Sequence, residues 1–84
     1  MTTLDFSIRK KEHHPISMIT CYDSTFARLV NESDVDCILI GDSLAMVIHG
    51  ENTTIPATID MMEMHTKAVR KGAPDKFIVA DMPF

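Results

Sequence analysis

The sequence predicts an α/β fold built on a parallel sheet, and three observations carry that prediction. Three short β-branched runs are apolar almost without interruption, as suits strands covered on both faces. Segments of helical period lie between them. Each strand is therefore joined to the next by a crossover, which keeps consecutive strands parallel.

The first run is 15–21, PISMITC, with β-branched Ile16, Ile19 and Thr20. Its Pro15 can open a strand but not sit inside one. Asp23 or Ser24 then offers an N-cap, with capping the expected role of Asp23, and Phe26, Leu29, Val30 and Ser33 follow at three- and four-residue steps. The spacing predicts a helix over 24–33. A second strand is predicted over 35–40, VDCILI, ending at Gly41, Asp42 and Ser43. Residues 44–57 carry Gly50, Asn52 and Pro56 without a clean period, so they read as a long loop with at most a short irregular turn. Long loops in compact domains usually have a function. Thr58 is placed to cap a further helix, with Asp60 and Glu63 at its positive end, Lys67, Arg70 and Lys71 at its negative end, and Gly72 and Pro74 just beyond. The third strand is predicted over 76–80, KFIVA, closed by Asp81, Met82 and Pro83. Residues 1–14 read as a charged leader and 15–84 as a set of β/α units that does not close on itself, an incomplete domain with an open sheet edge.

Eight basic residues against twelve acidic ones give a formal net charge of −4, which argues against a nucleic-acid partner. Hydrophobic residues at 45% and charged residues at 24% are those of a chain with a packed core. The longest apolar stretch, 37–41, falls far short of the roughly 20 residues that span a bilayer, so no membrane partner is expected. Two cysteines are too few for a disulfide framework, and the N-terminus has the pattern of neither a signal nor a transit peptide. The expected location is the cytoplasm.

In parallel α/β folds ligands bind outside the carboxyl ends of the strands. Asp42 and Asp81 both follow apolar strands there, and two converging carboxylates repel unless a cation or proton separates them. A hard divalent ion fits such a pair, and Mg²⁺ takes only one or two carboxylates beside water and substrate oxygens. Against this stands the plain alternative that each Asp caps a turn, and Ser43 can likewise bind substrate or cap. His13 and His14 read as solvated, and His49 and His65 have no partner at metal-ligand spacing, so zinc is not expected. Cys21 has no basic residue near it in sequence and reads as a buried structural thiol. The cluster Met61, Met62 and Met64 reads as adaptable packing, and none of the three glycines forms a phosphate loop.

Four segments in order, TCYDSTFARL, ILIGDSLAMVIHG, TIPATIDMMEMHTKAVRKGAP and IVADMPF, resemble the N-terminal third of the ketopantoate hydroxymethyltransferase family, from about Ile16 to Phe84. The resemblance implies that the chain is the N-terminal portion of a (β/α)₈ TIM barrel, for which about 250 residues is typical. That portion comprises about three β strands and two intervening helices. It implies Mg²⁺ bound by Asp42 of the G-D-S motif and Asp81 of the A-D-x-P-F motif, with Ser43 holding substrate beside them. One departure is Ala45, where the family commonly has Gly, and its extra methyl bears on the placement of Ser43. The implied reaction is transfer of a hydroxymethyl group from 5,10-methylenetetrahydrofolate to 3-methyl-2-oxobutanoate, giving 2-dehydropantoate in pantothenate biosynthesis. A glutamate general base and a substrate-contacting lysine are expected beyond Phe84, so the chain by itself is expected to be inactive. The implied assembly is a homo-oligomer, a decamer in the family. Two alternatives remain at this stage: another Mg²⁺-dependent barrel acting on 2-oxo acid enolates, of the phosphoenolpyruvate mutase and isocitrate lyase kind, and a non-catalytic truncated module.

Overall fold

The computed structural model describes residues 1–82; Pro83 and Phe84, which close the last predicted motif, lie outside the described residues. The element order is α1 (Thr3–Lys11), β1 (Met18–Thr20), α2 (Ser24–Asn31), β2 (Cys37–Ile40), α3 (Leu44–Val47), α4 (Ile59–Gly72) and β3 (Phe77–Ala80). The strands form one parallel sheet in the order β1-β2-β3. This is the α/β crossover arrangement that the alternation of runs and helical segments predicts, and it is compatible with part of a barrel.

Register divides the sheet into two faces. Ile19, Ile38 and Ile78 lie abreast, as do Thr20, Leu39 and Val79. Ile38 and Ile40 are fully buried in one cluster with Ala27, Val30, Met62 and Val69, so their face is the one that α2 and α4 cover. On the opposite face Cys37 is fully buried, but Leu39 is half-buried and Thr20 and Val79 are exposed, so that face is open toward the carboxyl ends among the described residues.

All three strands are shorter than predicted. The residues at their amino ends are held otherwise: Asp36 accepts hydrogen bonds from the Ser17 backbone N–H at 3.0 Å and from Arg9, and Lys76 Nζ donates to the Ser33 carbonyl at 2.7 Å. Helix α2 stops at Asn31 rather than Ser33, because the Ser33 hydroxyl turns back to donate to the Val30 carbonyl. The loop over 44–57 begins with one turn of helix, α3.

Residues 3–11 of the stretch read as a charged leader form helix α1. The Asp5 carboxylate accepts from the Thr2 backbone N–H at 2.7 Å, which caps the amino end and holds Asp5 below the usual carboxylate range. At the other end His13 takes the left-handed conformation (φ 57°). The His13 and His14 N–H groups then close back on the Lys10 and Arg9 carbonyls in a Schellman turn. The helix docks through two contacts. Phe6 meets Phe77 edge to face at 4.9 Å between centroids, and Arg9 grips both carboxylate oxygens of Asp36 at 2.8 and 2.7 Å. Both contacts are at the amino ends of β2 and β3. A cleft of about 520 Å³ lies along this seam, lined by Asp5, Arg9, Asp36 and Lys76 among others. Within it Arg9 and Asp36 pair, Asp5 is held by Thr2 and Lys76 by the Ser33 carbonyl, and it lies at the end of the sheet opposite to Asp42 and Asp81.

Helix α4 forms where Thr58, its charge gradient and its apolar spacing predict it, with the Thr58 hydroxyl accepting from the Met61 N–H at 3.1 Å. Gly72 is the last helical residue rather than a cap beyond it. A Cβ at Gly72 would stand 2.4 Å from the Ser24 carbonyl oxygen and 2.7 Å from Ala27 Cβ, so this glycine lets α4 close onto the start of α2. Arg70 ties off the turn into β3 by donating to the carbonyls of Ala73, Pro74 and Lys76.

Candidate functional site

The carboxyl ends of β2 and β3 bring Asp42, Ser43 and Asp81 to one rim. Strand pairing continues one step past β3, where the Asp81 N–H donates to the Ile40 carbonyl at 2.9 Å. Asp81 therefore lies beside Gly41, and alternation from Val79 turns its side chain to the open face. Its Oδ2 accepts from the Asp42 backbone N–H at 3.2 Å. Gly41 leaves room beside this contact: a Cβ there would crowd Ser43 Oγ at 3.2 Å and touch Asp81 Oδ2 at 3.4 Å. The carboxylate of one aspartate is thus anchored on the backbone of the other.

The capping alternatives resolve residue by residue. Asp23 is a cap: its Oδ1 accepts from the Phe26 N–H at 2.8 Å at the start of α2. Ser43 stands at the N-cap of α3, yet its hydroxyl makes no capping bond and instead pairs with the Tyr22 hydroxyl at 2.7 Å. The Asp42 carboxylate makes no hydrogen bond among the described residues. It is half-buried at the rim, and its own carbonyl accepts from the Ala45 N–H. Two carboxylates and a hydroxyl are hard oxygen donors, the set that suits Mg²⁺ with its remaining positions left to water and substrate. Among the described residues no three or more His, Cys, Asp or Glu side chains group as a metal cage. Ala45 is fully buried, so its methyl packs into the core behind Ser43.

Cys21 and Cys37 are free and buried. Burial pushes both thiols up, which disfavours the nucleophilic thiolate and fits the structural role expected of Cys21.

Three residues at or near the site were not legible in the sequence. Tyr22 lies where β1 ends and touches Ser43, and no spacing rule links positions 22 and 43. His49 and His65, expected to have no ligand-like partner, meet each other: their Nε2 atoms are 3.1 Å apart and their rings nearly perpendicular. His65 also contacts Tyr22, its Nδ1 lying 2.7 Å from the Tyr22 carbonyl oxygen. A connected chain therefore runs from Ser43 through Tyr22 to the histidine pair.

A profile of the ketopantoate hydroxymethyltransferase family matches residues 1–84, the whole chain. The chain belongs to the ketopantoate hydroxymethyltransferase family. It is similar to the 3-methyl-2-oxobutanoate hydroxymethyltransferase of Coxiella burnetii (strain RSA 493 / Nine Mile phase I), with 56% identity over 84 residues, 100% of this chain and 32% of the relative. The enzymes of the same name from Leptospira interrogans (57% over 79 residues, 94% of this chain and 30% of the relative) and Bdellovibrio bacteriovorus (57% over 83 residues, 99% and 32%) are similar to it as well. The ketopantoate hydroxymethyltransferases are thus a family of enzymes by the names of these relatives, and the chain spans about a third of their length. The family match covers the N-terminal helix as well as the four motifs, and it goes against the phosphoenolpyruvate mutase alternative.

Proposed function

We propose that this chain forms the metal-holding corner of a ketopantoate hydroxymethyltransferase, the (β/α)₈ barrel enzyme that transfers a hydroxymethyl group from 5,10-methylenetetrahydrofolate to 3-methyl-2-oxobutanoate. The product is 2-dehydropantoate, on the way to pantothenate. The observation that carries this reading is the hydrogen bond from the Asp42 N–H to Asp81 Oδ2, which pins the second aspartate beside the first at the strand ends. Asp42 and Asp81 would hold Mg²⁺ there. When bound, Mg²⁺ supplies Lewis-acid polarisation of the substrate's keto oxygen, which acidifies the adjacent C3–H.

The residues of this chain have three tasks in that reaction. Asp42 and Asp81 would hold the ion at the open face and, through it, set where the oxygens of the 2-oxo acid come to rest. Ser43, oriented by Tyr22, presents a hydroxyl to the substrate. Gly41 keeps the rim free of a side chain that would crowd the Ser43 hydroxyl. Removal of the C3 proton needs a positioned general base. In this reading the base comes from another segment of the barrel, which also covers the open face and the exposed edges of β1 and β3.

The exposed apolar side chains of Phe26, Leu29 and Val47 support a further reading of the molecule as a homo-oligomer, a decamer as in the family. Among the described residues no helix is long and apolar enough to cross a membrane. That, with the two free buried thiols, supports a cytoplasmic location.

The test is turnover by the full-length protein carrying Asp42→Ala or Asp81→Ala. Each is expected to lower Mg²⁺-dependent formation of 2-dehydropantoate more than about 100-fold, beyond what loss of an outer-shell partner costs, while leaving the circular-dichroism spectrum unchanged. Retained turnover in either variant contradicts the metal assignment.

A further inference from the structure

We infer that His49 and His65 form a second, separate metal site, one for a borderline divalent cation of the Zn²⁺, Cu²⁺ or Ni²⁺ type. The inference begins with proton placement. The Tyr22 carbonyl oxygen can only accept, so the His65 Nδ1 that lies 2.7 Å from it carries the hydrogen. In the neutral ring this leaves His65 Nε2 as a lone pair, directed at His49 Nε2 from 3.1 Å. An imidazole whose far nitrogen donates to a backbone carbonyl while the near nitrogen is free is the arrangement that metal-binding histidines show.

The second imidazole is positioned by the backbone. The His49 N–H donates to the Leu44 carbonyl, and Gly50 takes the left-handed conformation (φ 73°) that lets the Gly50 and Glu51 N–H groups return to the Met46 and Ala45 carbonyls. A Cβ-bearing residue at 50 would be strained, so the glycine fixes the turn that delivers His49 to α4. The span also fits. Two nitrogens each about 2.0–2.1 Å from a tetrahedral zinc stand about 3.3–3.4 Å apart, a few tenths of an ångström more than the pair shows.

Metal entry needs one proton to move. The hydrogen that His49 Nε2 now donates to His65 passes by way of water to His49 Nδ1, so both Nε2 lone pairs face the cation and neither ring changes its charge. The remaining coordination positions go to water or to an oxygen of a bound ligand. Two imidazoles select against Mg²⁺, which prefers oxygen donors, so this site and the aspartate rim take different ions. Because His49 lies on the segment after α3 and His65 on α4, an ion here ties that loop to α4 and, through Tyr22, bears on Ser43.

The test is Zn²⁺ titration of the full-length protein in excess Mg²⁺, followed by calorimetry and by the imidazole ¹⁵N resonances. The competing donors are His13, His14 and Glu12 at the end of α1, which are exposed. The expected result is that the His49 and His65 Nε2 signals shift together. His49→Ala, on an exposed loop, is expected to weaken Zn²⁺ binding at least 10-fold with an unchanged fold, whereas a His13→Ala/His14→Ala double variant leaves these two shifts in place. Binding unaffected by His49→Ala, shifts confined to His13 and His14, or no Zn²⁺ bound below millimolar concentration would each overturn the inference. None of these outcomes bears on Asp42 and Asp81, whose variants are expected to retain the Zn²⁺ shifts.

Discussion

At the scale of single residues the rim is a problem of close approach. Asp81 reaches the Asp42 N–H beside a position 41 that has no side chain, and a Cβ there would crowd Ser43 Oγ more than Asp81. Gly41→Ala places a methyl 3.2 Å from Ser43 Oγ and 3.4 Å from Asp81 Oδ2, distances that side-chain shifts relieve. The expected outcome is therefore a functional loss larger than the structural one. The Mg²⁺ concentration for half-maximal turnover should rise about 10-fold or more, as for loss of an outer-shell contact, while the melting temperature moves by a few degrees at most. A large fall in melting temperature with unchanged Mg²⁺ dependence would contradict the role given to Gly41. The identity of the rim aspartates was legible, since each follows an apolar strand in a parallel fold. Their supporting contacts were not: Tyr22 reaches Ser43 across 21 positions, and His49 reaches His65 across 16 with a loop between. Spacing rules read neighbours on one element, and these pairs meet only when different elements converge.

At the scale of elements the decisive contacts join pieces far apart in sequence. Gly72→Ala drives a methyl against the Ser24 carbonyl and Ala27 Cβ, both on or at the start of α2 and neither at the end of a flexible side chain. Separation of α2 from α4 is expected to cost about 1–3 kcal/mol, the range for overpacking, read as a lowered denaturation midpoint. A neutral Gly72→Ala would mean that the helices do not meet there. Helix α4 was legible because its signals are local: a threonine cap, acidic residues early, basic residues late and an apolar stripe. Helix α1 was missed although Thr2 and Asp5 at its start and Arg9, Lys10 and Lys11 at its end are local signals of the same kind, because it buries no residue and its attachment to the sheet is tertiary. Its docking rests on Phe6 against Phe77 and Arg9 against Asp36, partners 71 (77 − 6) and 27 residues away, and on a histidine in place of the usual glycine at its end.

At the scale of the whole molecule the two ends of the sheet have separate tasks. The amino end is closed by α1, and the carboxyl end carries the aspartates. Arg9, with further hydrogen bonds from Ser17, holds the Asp36 carboxyl below the usual range. A depressed carboxylate stabilises the fold at pH values above its unfolded pKa of about 3.9, and that contribution is lost as pH falls through the lower folded value. Acid is therefore expected to release α1, and Asp36→Asn to remove that part of the pH dependence. Both are readable as hydrogen exchange of the α1 amides between pH 7 and pH 3. Measured as protection factors, which remove the intrinsic pH dependence of amide exchange, α1 protection is expected to fall toward low pH in wild type and to stay flat in the variant; identical profiles would contradict the Arg9–Asp36 latch. The open sheet face and exposed edge strands were legible from three apolar runs with too few helices to cover them, as was the family from its motifs.

The central claim is that Asp42 and Asp81 hold the ion that activates C3 of the 2-oxo acid. It is tested most directly by solvent deuterium exchange at C3 of 3-methyl-2-oxobutanoate, without folate, in the full-length protein and its Asp81→Asn variant. Exchange that requires Mg²⁺ in the wild type and falls more than about 100-fold in the variant is the predicted result. Exchange that proceeds in chelator, or at the wild-type rate without the Asp81 carboxylate, would contradict the account.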